Sequence, residues 1–295
     1  MNTIPWEEGI VRKQTLSYNE VRRVCQSHSV PFERANHLDY GITDARGRYT
    51  NFGFLLSDQN HEEIRINEFL SEGGRLSGVT LLSGSILKQR EDAQRFLLQC
   101  GASGNDGTGA ENDGDIHGWP LAAVREALTL CLLHHDFECK ETTPVTVNVY
   151  ADRMEFLSLV SLPARLTIRD LQQVGSTFSK SRRLRELFLR LRWIEEAGSG
   201  FSDIFVSYSR SVKKPTCSGS ARILKIALPK LQNVPSLSEK IVSHLRTYGV
   251  LGARKQEEKT NAARSSLNKA LRELVEAKRI VRVGNGRSTR YMPAR

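Results

Sequence analysis

The residues best placed to do chemistry are five polar side chains near the end of the chain. They are Arg264, Ser265, Asn268, Lys269 and Arg272. If this segment is helical, this spacing puts them on one face, opposite the apolar residues Leu267, Leu271, Leu274 and Val275. Arginine and asparagine make paired hydrogen bonds with base edges in the major groove of DNA. The pattern therefore predicts a helix that reads double-stranded DNA.

Three helices and a hairpin are expected to position that face. Ser236 and Glu239 form a capping box that starts a first helix, residues 253–259 can form a second, and the third contains the polar face. Two short strands, 280–283 and 288–292, then flank a Gly-Asn-Gly turn. This order looks like a winged helix-turn-helix, in which Arg287 and Arg290 of the hairpin would meet phosphate or the minor groove. A basic helical bundle that contacts other proteins is the alternative, because the second helix has almost no apolar residue to dock it.

The distribution of charge supports a polyanionic partner. Residues 236–295 contain 14 Lys and Arg against 5 Asp and Glu, a net charge of +9. The whole chain has a net charge of +10, so residues 1–235 contribute only +1. A nearly neutral body joined to a strongly basic, helix-patterned tail is typical of nucleic-acid binding.

Composition excludes several other classes of protein. The 295 residues are 39% hydrophobic and 26% charged, which is ordinary for globular proteins and long enough for two or three domains. No apolar run reaches transmembrane length, and the first residues do not resemble a signal peptide. The five cysteines are scattered and odd in number, so reduced thiols in the cytoplasm are expected.

A cluster of Cys131, His134, His135 and Cys139 raises a metal hypothesis. No second ligand pair follows at zinc-type spacing, so a buried cysteine and hydrogen-bonded histidines on an amphipathic helix are favoured. Residues 101–118 are rich in Gly, Asn and Asp but lack the Gly-Lys-Ser/Thr end of a phosphate-binding loop. They are expected to form a flexible surface loop.

The body of the chain mixes helices and strands without a strict alternation, which indicates an α+β fold. Strands are expected at residues 64–69, 145–150, 154–159 and 222–228. Helices are expected at residues 18–27, 83–98, 121–134, 168–173 and 181–193.

Several separated motifs, in one order, give the body a family resemblance. They include YTNFGFLLSDQ (49–59), WPLAAVREALTLCLLHHDF (119–137), LPARLTIRDLQQVGS (162–176) and LRELFLRLRWIEEAGSGF (184–201). Together with the basic tail they resemble a family of transcriptional regulators often labelled RecG-like ATP-dependent helicases. The family combines a Schlafen-AlbA-type domain with a GHKL-like ATPase module, which is an α/β sandwich, and with a small winged-helix domain. We expect the first of these, which is usually N-terminal, to be absent from this chain. No helicase motor motif is present.

The resemblance implies a nucleotide site on the helix predicted at 121–134. In the family this helix supplies a Glu that activates water and, four residues later, an Asn that holds Mg²⁺. Glu126 matches the first, but Leu130 stands at the second position, and leucine cannot ligate Mg²⁺. If no ATPase acts here, Glu126 is a helix-surface or capping residue.

Two further motifs of the family concern its glycines. The segment beginning at Asp152 has Val160 and Ser161 where the family has two glycines. The last glycine motif survives at Gly198 and Gly200, which the resemblance places near phosphates; a helix C-cap after Glu196 is the alternative. Asp152, Gly198 and Gly200 are therefore the candidate nucleotide-binding residues.

These observations predict four segments: residues 1–100, the loop 101–118, a degenerate ATPase-like module at 119–232 and a DNA-binding domain at 235–295. The expected function is a transcriptional regulator that binds double-stranded DNA, with the body as a platform for ligand sensing or a homodimer. Neither a metal nor another cofactor is expected, although binding of ATP with Mg²⁺ is left as an alternative. No membrane partner is expected. An active DNA-associated ATPase and a protein-interaction module of a defence system are the alternatives.

Overall fold

The computed structural model describes residues 5–70, 74–102, 115–116, 118–139, 143–162, 167, 170, 179–196, 200–220, 222–231, 237–260, 262–284 and 286–294. The chain forms two compact units, Met1–Gln232 and Asn233–Arg295.

A six-stranded sheet organises the first unit. Its strands are β1 (Ile64–Phe69), β2 (Leu76–Leu82), β5 (Val145–Val149), β6 (Arg153–Leu159), β7 (Thr216–Ser220) and β8 (Ile223–Pro229), in the order β2-β1-β5-β6-β8-β7. Only the β1–β5 pair is parallel within this sheet. Two short strands, β3 (Asp115–Ile116) and β4 (Trp119–Pro120), form a separate ribbon. The sheet thus unites strands from both sides of the loop expected at 101–118.

The two faces of this sheet differ in polarity. Alternate residues of the central strands are buried, including Val145, Val147, Met154, Phe156, Leu224 and Ile226. The other face carries polar contacts: Asn67 donates to Asn148 at 2.8 Å, and Glu155 pairs with Arg153 and Lys225 at 2.8 and 3.0 Å. The alternation follows from the two-residue period of a strand, and it directs the helices to the apolar face.

Six α-helices of the first unit lie within the described residues. They are α1 (Asn19–Ser27), α2 (Asn51–Leu56), α3 (Ile86–Ala102), α4 (Leu121–His134), α5 (Arg182–Arg190) and α6 (Gly200–Ser207). Helix α4 is the central one, since it packs against β6, β8, α3 and α6. Its alanines and leucines favour the helix, and ten of its fourteen residues are buried. Such a helix positions side chains rigidly.

The second unit has a core of its own. It contains α7 (Leu237–Tyr248), β9 (Leu251–Gly252), α8 (Ala253–Thr260), α9 (Arg264–Glu276), β10 (Ile280–Val283) and β11 (Arg290–Pro293), with strand order β10-β11-β9. Gly249 ends α7 with a φ of 76°, a backbone angle that glycine adopts without strain. The buried residues of this unit come mainly from α7 and α9: Ile241, Leu245, Leu251, Leu267, Leu271, Leu274 and Ile280.

Most elements predicted from hydrophobic periodicity are confirmed. The helix at 121–134 and the strand at 64–69 have the predicted bounds, and the three helices and hairpin of the tail are present. The helix expected at 168–173 and the capping residue Ser236 lie at least partly outside the described residues. No helix in the described part of the chain combines the length and apolarity needed to cross a membrane.

Some predictions were wrong or incomplete. Strands β2, β7 and β9 and helix α6 were missed, because β7 (TCSGS) lacks apolar alternation and α6 begins at a glycine. Residues 101 and 102 of the expected loop belong to α3 and residues 115–116 form β3, while residues 103–114 and 117 lie outside the described residues. The helix expected to reach Trp193 ends at Arg190, because Arg192 adopts a left-handed backbone with φ 57°.

Candidate functional site

The candidate ATPase site centres on Glu126, which lies in the first half of α4. Burial and, to a smaller extent, the nearby carboxylate of Asp203 raise the pKa of Glu126 to about 7, against the opposing charges of Arg90 and Arg125. Both Glu126 and Asp203 line a cavity of about 140 Å³ between α4, the residues after α5 and the start of α6. A carboxyl with this pKa exchanges a proton near neutral pH, which is a property of general acids and bases.

The structure brings Glu126, Leu130 and Gly200 together. A Cβ atom added to Gly200 would lie 3.1 Å from Glu126 Oε2 and 3.2 Å from Leu130 Cδ2. Leu130 is fully buried, so its methyl groups occupy the place next to Glu126. Gly200 therefore allows α6 to pack closely on α4, because a side chain there would displace the ends of Glu126 and Leu130 by a few tenths of an ångström. It is the first residue of α6, so the alternative of a helix C-cap is wrong for Gly200; Gly198 lies outside the described residues.

The donor set around Glu126 does not fit Mg²⁺. This ion requires oxygen ligands in near-octahedral geometry, and the position expected to supply an amide oxygen holds a buried aliphatic side chain. No group of three potential metal-ligating residues (His, Cys, Asp or Glu) forms a metal site in the described part of the chain. A cavity of about 140 Å³ is also smaller than ordinary ligand pockets of roughly 300–1,000 Å³.

Val160 and Ser161 stand where the family that the sequence resembles has two glycines, and Val160 is part of the protein core. Val160 is buried, pairs with His135 in a β-bridge and donates its N–H to the Arg222 carbonyl at 2.8 Å. A valine in this position fills the core instead of leaving backbone open to a nucleotide. Ser161 follows it and is exposed.

Asp152 lies elsewhere in the first unit. It is in the β5–β6 turn, where its carboxylate pairs with Arg153 at 3.0 Å and its carbonyl accepts the N–H of Lys230 at 2.7 Å. Within the described residues, none of its hydrogen bonds or ion pairs reaches Glu126 or Gly200. No hydrogen bond or ion pair therefore links Asp152 to Gly200, the described one of the two glycines with which it was grouped.

The cluster of cysteines and histidines has no arrangement for a metal. His135 Nδ1 lies 3.1 Å from the Ser158 hydroxyl, which donates to the Cys131 carbonyl at 2.8 Å. Burial lowers the pKa of both His134 and His135 to about 4, so both rings are neutral at pH 7. The expectation of buried, structural side chains is consistent with these contacts.

The second candidate site is the polar face of α9. Arg264, Ser265, Asn268, Lys269 and Arg272 are all exposed, while Leu267, Ala270, Leu271 and Leu274 of the same helix are buried. Among the described residues, one ion pair engages this face, between Lys269 and Glu273 at 4.0 Å. Arg290 is exposed on β11, and the backbone of Arg287 lies in a short 3-10 turn, Gly286–Ser288, before that strand. The positively charged side chains of α9 are therefore available to donate hydrogen bonds to a partner.

Two comparisons with known proteins found similarity, one to part of the first unit and one to nearly the whole chain. Residues 142–226 match a family model described as "Putative ATP-dependent DNA helicase recG C-terminal". The chain contains a RecG C-terminal-like ATPase-type domain. No match was found among curated proteins. The crystal structure of the DIP2311 protein from Corynebacterium diphtheriae is similar, with a TM-score of 0.61 and 14% identity over 99% of this chain and 70% of that chain. At this identity the likeness concerns the fold alone.

The match to the ATPase-type domain covers β5 to most of β8, with α5 and α6. It includes Asp152 and Gly200 but begins after α4, so Glu126 and Leu130 lie outside it. Sequence reasoning missed two residues beside Glu126, namely Arg90 on α3 and Asp203 on α6. No spacing could have revealed them, because they come from elements far apart in the chain.

Proposed function

We propose that the protein is a DNA-binding transcriptional regulator in which residues 235–295 form a winged helix-turn-helix. The observation that carries this proposal is the exposed row of Arg264, Ser265, Asn268, Lys269 and Arg272 on α9. It belongs to a segment with a net charge of +9, whereas the rest of the chain is nearly neutral. Such a charge distribution favours the DNA backbone, and the α9 side chains supply the donors that read bases.

In this proposal α9 enters the major groove and the β10–β11 hairpin is the wing. Asn268 lies in the first half of α9, one turn after Arg264 and one turn before Arg272, so these three side chains can reach successive base pairs. Arg287 and Arg290 would contact phosphates, which orient the protein but carry no sequence information.

The ATPase-type domain is proposed to be a platform without hydrolysis. Leu130 beside Glu126 removes the magnesium ligand, and metal-assisted phosphoryl transfer depends on neutralising charge at the phosphates. Neither ATP nor Mg²⁺ is therefore proposed as a cofactor. The platform would serve a homodimer or a ligand-sensing role.

An active DNA-associated ATPase is the second candidate. It is favoured by the similarity of residues 142–226 to the RecG C-terminal family and by Glu126, whose pKa of about 7 suits a general base. The two candidates differ in whether ATP turns over, not in whether DNA binds.

In the test, the full chain first selects the duplexes that it binds from a pool of random sequence. Phosphate release is then measured with ATP, Mg²⁺ and the selected duplex. The proposal expects a consensus sequence, its relaxation at one position in Asn268→Ala, and no phosphate release above a protein-free blank. Turnover that Glu126→Gln abolishes would establish the second candidate. If no duplex is enriched or bound, a protein-interaction role replaces both.

A further inference from the structure

A second, larger cavity in the first unit has an unusual excess of positive charge. It measures about 560 Å³ and lies between α1, α3, the start of α4 and the turn after α5. Five arginines line it: Arg23, Arg90, Arg95, Arg125 and Arg192. Glu91 is the acidic residue in its lining. The volume is within the range of sites that bind small molecules.

Among the described residues, two of these arginines form ion pairs with carboxylates. Glu91 pairs with Arg23 at 2.6 Å, and Arg95 pairs with Asp92 at 2.9 Å. Within the described residues, Arg90, Arg125 and Arg192 have no carboxylate at ion-pair distance. The nearby Glu126 acts on Arg90 and Arg125 by charge alone, so three guanidinium groups share one cavity without an ion pair.

Arg90 is the most informative of the three because it is only 3% exposed. Its Nε and Nη2 atoms both donate to the Thr129 hydroxyl, at 3.1 and 3.0 Å, and its guanidinium lies 4.0 Å from the centre of the Trp193 ring. Its Nη1 atom makes no hydrogen bond among the described residues and is not one of the fully enclosed, unpartnered atoms, so it can meet a ligand in the cavity. An anion in the cavity would supply the opposite charge that this buried guanidinium lacks at ion-pair distance.

The neighbours of Arg90 hold it rigidly. Thr129 donates its hydroxyl proton to the Arg125 carbonyl at 2.8 Å, and Trp193 donates its indole N–H to His28 at 3.2 Å. Trp193 also packs edge-on against Phe188, with ring centroids 5.1 Å apart. Because these contacts fix the guanidinium in advance, an anion would bind without a large ordering cost.

The backbone at the end of α5 fixes the position of Arg192. Its N–H donates to the Leu189 carbonyl at 3.0 Å, and the Trp193 N–H donates to the Phe188 carbonyl at 2.9 Å. This is the Schellman pattern, in which glycine is the usual residue at the position of Arg192, and a non-glycine residue there is strained, with φ 57°. Ser29 and Lys278 end two other helices in the same way, so the strain is not specific to the cavity, but it makes Arg192→Gly a mild substitution.

We propose that this arginine cavity binds a small, multiply charged anion of the phosphate-ester or pyrophosphate class. Arg90, Arg125 and Arg192 are its ligands, and guanidinium groups suit phosphate because their donors match paired oxygens. The cavity also shares Arg125, Arg192 and Trp193 with the smaller cavity of Glu126, so an occupant would lie beside that carboxyl. The proposal concerns the first unit and holds whether or not the second unit binds DNA.

The test is calorimetric titration of the full chain with pyrophosphate, and separately with inorganic phosphate, in a low-salt chloride buffer. The parent is expected to bind pyrophosphate more tightly than phosphate, because more oxygens meet more guanidinium groups. Arg125→Ala and Arg192→Gly should each weaken binding by about tenfold or more, as expected for loss of a charge-assisted hydrogen bond.

Arg192→Gly is the decisive variant because it should not impair folding. Glycine relieves the left-handed backbone, so its melting temperature should equal or exceed that of the parent. Arg46→Ala and Arg210→Ala, which each remove an exposed arginine of the first unit, are controls that should bind as the parent does. Three results would each overturn the proposal: no pyrophosphate binding by the parent, binding by Arg192→Gly and Arg125→Ala that equals that of the parent, or an equal loss of binding in the two controls.

Discussion

Helices α4 and α9 use polar residues in opposite ways. In α4 ten of fourteen residues are buried, and the carboxyl of Glu126 faces a small cavity beside the methyl groups of Leu130. In α9 one face is buried and the other carries five exposed polar side chains. A helix enclosed by its own protein has little room for a nucleotide, whereas a helix with an exposed basic face can dock on a partner. The difference between them supports our proposal that function now resides in the second unit.

The largest expected effect follows from restoring the family's asparagine. Leu130→Asn should lower the free energy of unfolding by about 3–5 kcal/mol, because it removes apolar contacts and buries an amide. Denaturant unfolding of the full chain measures this loss, and Leu121→Asn, at a half-buried position of α4, should cost less. An L130N protein that is as stable as the parent and releases phosphate from ATP would show that α4 is still a working nucleotide helix.

The second effect concerns the exposed face of α9. The variant R264A/N268A/R272A should bind the selected duplex roughly 100-fold more weakly or worse, since each such contact contributes about 1–3 kcal/mol. Fluorescence anisotropy of a labelled duplex gives the affinities. The control R46A/R210A removes two exposed charges from the first unit and should bind nearly as the parent does. Equal losses in both variants would mean that charge alone, and not α9, determines binding.

The third effect is a pH dependence of stability that Glu126 causes. Burial raises its pKa from 4.5 to about 7 in the folded protein. Between these values the folded state keeps a proton that the unfolded state has lost, so the unfolding free energy falls as pH rises from about 4.5 to about 7.

Glu126→Gln should remove this fall and be more stable than the parent at pH 8 by on the order of 2 kcal/mol. Denaturant unfolding at pH 4.5, 6 and 8 measures it, with Glu186→Gln on α5 as a surface control. If parent and Glu126→Gln have parallel curves across this range, the carboxyl is not buried as described.

The smallest expected effect concerns a buried polar side chain of the second unit, so buried polar groups are not confined to α4. Gln256 is fully buried in α8, and neither its Oε1 nor its Nε2 atom has a hydrogen-bond partner among the described residues. Gln256→Leu should stabilise this unit by about 1 kcal/mol because it removes two unpaired polar atoms. Thermal unfolding of Q256L and of the exposed control Lys255→Leu compares the two, and a gain only in the control would refute the assignment.

The sequence predicted elements well where a single pattern determines them. Helix 121–134 has helix-forming residues after Pro120, and β5 and β6 alternate strongly around a turn. Strand β7 could not be predicted in this way, because Thr216–Ser220 has almost no apolar residue and depends on pairing with β8. Helix α8 was expected to have almost no apolar residue that could dock it; its buried side chain is Gln256, and Ala253 at its start packs against the core.

The candidate sites were predicted less completely. The proximity of Glu126, Leu130 and Gly200 followed from the family resemblance, but Arg90 and Asp203 come from distant elements and could be found only in the folded chain. The arginine cavity was missed for the same reason, since its residues are spread over α1, α3, α4 and the turn after α5.

The most direct test of the proposed function is the salt dependence of duplex binding by the parent and by R264A/N268A/R272A. Each phosphate contact contributes about 0.9 to the slope of log affinity against log salt concentration. The account predicts a steep slope for the parent and a slope smaller by up to about 2 for the variant, which lacks two arginines. Identical slopes and affinities for the two proteins would contradict the claim that α9 binds DNA.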